Sequence, residues 1–216
     1  QMTIYGTVHK TAILLVLALI TASFAWNVFY SNGGVTGGGA SAVYPWLFGG
    51  AIGGLVFALI TIFGNKKWAI VTGPCYALLE GLVLGGLSSI LEARYPGVVI
   101  QAVGLTFGVT VALLLAYITR LIKVTDKFKA GMSAAIGGIF LLYIASWVLR
   151  LFGVTIPYIH SSGPIGIGFS LVVVVIAALT LVLNFDYIEM GAKRGAPKYM
   201  EWYGAFGMMM ALVWLY

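Results

Sequence analysis

Seven long apolar stretches fill most of this chain, at residues 11–30, 46–63, 70–91, 98–119, 131–151, 164–189 and 202–216. An α-helix needs about 20 predominantly apolar residues to cross a hydrocarbon core of about 30 Å. Lipid offers no partners for backbone N–H and C=O groups, so stretches of this kind are read as helices, which satisfy those groups internally. The reading is an all-α, polytopic membrane protein: a single transmembrane domain, 1–216, of seven helices. Charged residues make up 8% of the chain, against about 25% in a soluble domain, too few to cover a water-facing surface.

The loop charges give an orientation. Lys10, Lys66, Lys67, Arg120, Lys123, Lys127, Lys129, Lys193, Arg194 and Lys198 fall on one side of the expected membrane, and only Arg94 and Arg150 on the other. By the positive-inside rule the first side, with the N-terminus, is cytoplasmic, and the Gly-rich connection 31–41 lies outside. The net charge of +6 is thereby explained by topology, with no nucleic-acid partner. Lys10 before an apolar run, with Ser23-Phe24-Ala25 resembling a cleavage site, imitates a signal peptide. The run continues to Tyr30, and the segment is read as a retained helix.

The last stretch, Trp202–Tyr216, is short. Fifteen residues reach about 22 Å as a helix, less than the core thickness, so the native chain is expected to continue past Tyr216. Gly49-x-x-x-Gly53, Gly50-x-x-x-Gly54, Gly81-x-x-x-Gly85 and Gly104-x-x-x-Gly108 have the spacing that lets helix backbones approach closely in lipid.

Chemistry is sought in the acids inside apolar stretches. A charged side chain there costs roughly 2.5–3.5 kcal/mol on insertion scales, so it marks a functional site by default. Glu80 sits near the middle of the third stretch and must face other helices or water. It is either part of an ion or proton path or a hydrogen-bonded tie between helices. Asp186 lies about one turn inside the sixth stretch and is read as the leading functional acid. Glu189, three residues on, reads more simply as a solvated interfacial charge near Lys193 and Arg194. Trp202 and Tyr203 fit an interfacial aromatic belt, with Glu201 just ahead of them, and Met208, Met209 and Met210 fit adaptable packing.

Enzyme signatures are missing: the sequence contains no H-E-x-x-H, no G-x-S-x-G and no phosphate loop. His9 and His160 fall on opposite sides in this topology, and Asp126 lies in a basic loop, so neither a histidine pair nor paired aspartates can act. Cys75 is the single cysteine, which excludes an internal disulfide and a cysteine zinc cluster. The chain is read as no enzyme, with no tightly bound cofactor.

Three segments together resemble the bacterial branch of the Bax-inhibitor (transmembrane Bax-inhibitor-motif) family. They are Pro74-Cys75-Tyr76-Ala77-Leu78-Leu79-Glu80-Gly81-Leu82-Val83-Leu84-Gly85, Gly163-Pro164-Ile165-Gly166-Ile167-Gly168-Phe169-Ser170 and Asn184-Phe185-Asp186-Tyr187-Ile188-Glu189. The resemblance implies a last helix central to two three-helix layers in a bacterial cytoplasmic (inner) membrane. It also implies a pH-sensitive calcium leak built on two acids, with Asp186 as the sixth-helix acid and a weak calcium contact. A basic residue near the end of the second helix, Lys66 or Lys67, would latch it. The family's seventh-helix acid follows a Leu-Tyr-like pair, and the sequence stops at Leu215-Tyr216. Within this chain Glu80, Glu189 or Glu201 would have to stand in. The alternative is a non-conducting interaction protein that modulates a membrane-anchored quality-control protease, as some relatives do.

Overall fold

A computed structural model describes residues 1–151 and 163–216. His160, read from sequence as a loop residue, lies outside the described residues. The described helices are α1 (Ile4–Ser31), α2 (Gly39–Phe63), α3 (Ala69–Arg94, entered through a 3-10 turn at Lys66–Trp68), α4 (Val98–Ile118), α5 (Asp126–Leu151), α6 (Pro164–Lys193) and α7 (Met200–Leu215). Six of them are long and apolar enough to cross a membrane, and α7 has 16 residues.

Several helices overrun their apolar stretches because polar ends can be satisfied outside hydrocarbon. α1 starts at Ile4, capped by the Thr3 hydroxyl, which accepts a hydrogen bond from the Gly6 N–H at 3.0 Å. α5 starts at Asp126 rather than 131, with the Thr125 hydroxyl accepting from the Phe128 N–H at 3.2 Å. The basic loop expected around Asp126–Lys129 is therefore the first turn of a helix, and Lys129 projects from a fixed backbone.

Two compact units make up the chain. The first comprises Gln1–Phe107, Tyr187–Trp214 and Tyr216; the second comprises Gly108–Asp186 and Leu215.

In the first unit, lipid-solvated helices gain little from hydrophobicity when they pair, so close backbone approach carries the packing. Gly81 and Gly85 of α3 lie directly against the backbone of Ala18 and Ala22 on α1. Gly50 of α2 lies against the Leu79 carbonyl of α3. The Thr61 and Thr72 hydroxyls meet at 2.7 Å and tie α2 to α3. Gly104 and Gly108, at the same spacing, have open space where a Cβ would stand. The spacing alone does not separate used rows from idle ones.

Half of α7 is buried. Ala205, Phe206 and Met209 join Leu14 and Ala18 of α1, Ala58 of α2, and Tyr76 and Ala77 of α3 in one core. The rings of Tyr76 and Phe206 meet edge-on at 5.1 Å. Met208 and Met209 are packing residues, buried to 8% and 1% exposure.

The second unit is held in part by aromatic contacts, Tyr117 with Phe185 at 6.0 Å and Tyr143 with Phe169 at 6.4 Å. Thr180 and Ser146 return their hydroxyls to carbonyls of their own helices, so neither leaves an unmet donor in an apolar stretch.

Candidate functional site: three acids in different settings

Asp186 occupies α6 seven residues before its end. Its carboxylate pairs with the Lys129 ammonium at 2.8 Å; the acid side chain is 16% exposed and the lysine 41%. The lysine that pairs with Asp186 is Lys129 of α5, whereas the resemblance implied Lys66 or Lys67. Those two are engaged elsewhere: the Lys66 ammonium lies 5.3 Å from the centre of the Tyr203 ring, and Lys67 lies 5.9 Å from that of Tyr199. Such cation–π contacts are worth about 0.5–1 kcal/mol at exposed sites. Lys129 was counted as loop from the sequence, where its direction could not be read. Glu189 pairs with Lys193 one turn on along α6, in keeping with an interfacial charge.

Glu80 is half-buried on α3 and points at α2. A Cβ on Gly54 would stand 3.0 Å from its Oε2, so the glycine leaves the room the carboxyl occupies. Among the described residues no hydrogen bond is made to that carboxyl.

Glu201 is the acid that sequence reasoning undervalued. It lies in the first turn of α7, ahead of the apolar stretch, and is 0% exposed. The Thr3 backbone N–H and hydroxyl donate to its Oε1 at 2.9 and 3.0 Å. The Lys10 ammonium donates to its Oε2 at 2.5 Å, and Lys198 lies 3.4 Å from Oε1. Burial pushes the Glu201 carboxyl up, but the donors from Lys10 and Thr3 outweigh it and hold it at about 2. Lys10 also sits 5.6 Å from the centre of the Trp202 ring. One signal was available in the sequence: Lys10 and Glu201 are the lone lysine-or-arginine and the lone acid of α1 and α7, on the same side of the expected membrane. Each needed a partner.

Among the described residues no three histidine, cysteine, aspartate or glutamate side chains come together as a metal cluster.

The arrangement of acids on apolar helices joins a second finding. A family model described as "Bax inhibitor 1 like" matches residues 1–216, the whole chain. The chain belongs to the Bax inhibitor 1 like family. No curated protein and no solved structure matches it. Family membership with six membrane-length helices makes this an integral membrane protein whose helices contact the lipid bilayer.

Proposed function

We propose that this member of the Bax inhibitor 1 like family is a pH-sensitive cation leak, calcium being the cargo, with protonation of Asp186 as its gate. The observation that carries the reading is the Asp186–Lys129 pair, an acid in an apolar helix held by one half-exposed lysine. A proton or a cation arriving at Asp186 competes with the Lys129 ammonium for the same carboxylate. Either one frees the lysine and alters the attraction between α5 and α6 at that point, a local charge change able to bias two helix arrangements.

One carboxylate is far from the six to eight oxygens of a tight calcium site, which suits passage, since conduction requires binding weak enough to release. Glu80, facing Gly54 without a hydrogen bond among the described residues, is the second candidate for the acid that changes charge. Glu189, paired with Lys193, is assigned an interfacial role in the same reading. The proposed setting is a bacterial cytoplasmic membrane with the Lys10 end inside, from the loop charges.

Calcium flux into liposomes carrying the purified protein tests the proposal. Flux that changes with pH supports it. No flux at any pH, together with capture of a membrane-anchored protease, replaces it with the interaction-protein reading.

A further inference from the structure

Met2, Thr3 and the first turns of α1 contact the turn joining α6 to α7 and the first turn of α7. The Met2 N–H donates to the Ala196 carbonyl at 2.7 Å. The Met2 side chain is buried to 3% exposure; a Cβ on Gly191 would stand 2.8 Å from its sulfur, and one on Gly204 would stand 3.4 Å from its terminal methyl. Thr3 then supplies two donors to Glu201, Gly6 passes so close to that carboxylate that a Cβ there would overlap it, and Lys10 closes the other oxygen. A backbone bond, a plugged pocket, and a buried anion with three donors from one segment thus converge on the start of α7.

We propose that the α6–α7 turn and the first turn of α7 form a docking site for the chain's own N-terminal segment, with Met2 as its plug and Glu201 as its anchor. Docking sets whether the first turn of α7 is held or free, so the segment acts as a clasp on that helix. Two physical points support a site rather than a chance contact. First, a buried carboxylate is expensive unless fully paired, and most of its donors come from the segment. Second, the atoms nearest to where a Cβ on Gly191 would stand are those of Met2. The groups facing Glu201 are Thr3 and Lys10 from α1 and its cap, and Lys198 from its own turn.

The clasp is tested by hydrogen–deuterium exchange on the protein in lipid nanodiscs, followed in peptides covering residues 196–206 and, as a control, 39–63. Met2→Gly combined with Thr3→Val should raise exchange at least tenfold in 196–206 and leave 39–63 at the parental rate. Glu201→Gln should do the same from the other side. Thr3→Val added to Glu201→Gln should add little, because both act on one contact. Thr3→Ser, which keeps both donors, should stay at the parental rate. If the Met2→Gly combination does not fold, Thr3→Val alone reads the same contact. Unchanged exchange in 196–206, an equal rise in both regions, or fully additive effects would each overturn the proposal.

Discussion

Glu201 and Asp186 both face a lysine, yet their surroundings differ in every other respect. Glu201 is sealed from solvent, with Lys10 at 2.5 Å and two donors from Thr3 completing its shell. Asp186 is partly open, and Lys129 is 41% exposed. A buried pair with a full shell is rigid, because losing one partner strands a charge. An open pair can exchange its partner for water, a proton or a cation at little cost. A lysine and an acid thus form a closed pair at Glu201 and a more open one at Asp186.

That contrast makes a stability prediction with a wide gap. Lys10→Met leaves Glu201 buried without its lysine and should cost about 3–5 kcal/mol, as breaking one half of a buried pair does. Lys129→Met should cost about 0–1 kcal/mol, as for exposed pairs. Reversible unfolding in mixed micelles gives both numbers, and equal losses would erase the distinction. Glycine contacts come next. Gly85→Ala drives a methyl into the α1 backbone at Ala22 and should cost about 1–3 kcal/mol. Gly104→Ala, with open space around it, should lie within about 0.5 kcal/mol of the parent.

Glu201 also carries a prediction for acidification. The Glu201 carboxyl lies at about 2, below its ordinary 4.5, so its contribution is complete above 4.5 and lost as pH falls toward 2. The Glu201→Gln protein should be less stable than the parent at neutral pH, and the difference should shrink as pH falls from 4.5 to 2 in acid titrations followed by circular dichroism. A difference that stays constant over that window would remove the charged pairing from the account.

Much of the fold was legible in the sequence because membrane helices write themselves as apolar length. The seven apolar stretches correspond to α1–α7, and the errors lie at the ends, where Thr3 and Thr125 cap helices in polar surroundings that hydropathy does not register. The packing role of Met209 was also legible, since a flexible apolar side chain in an apolar helix has few other uses. The site was less so. Asp186 and Glu80 stood out because a charge in an apolar run is conspicuous. Their neighbours did not, because contact between helices has no signature in local spacing. Lys129 was hidden by a boundary placed five residues too late, and Glu201 by an aromatic cluster with a sufficient explanation of its own.

We propose that Asp186, the more open contact, gates passage, while Glu201, the closed joint, does not. The direct measurement is calcium flux into liposomes followed across a series of pH values. Parent, Asp186→Asn and Glu201→Gln proteins are compared at matched incorporation. The account predicts a pH-dependent leak in the parent, a flat profile for Asp186→Asn, and a retained pH dependence for Glu201→Gln even if its amplitude changes. A full parental pH response from Asp186→Asn would contradict it and move the gate to Glu80.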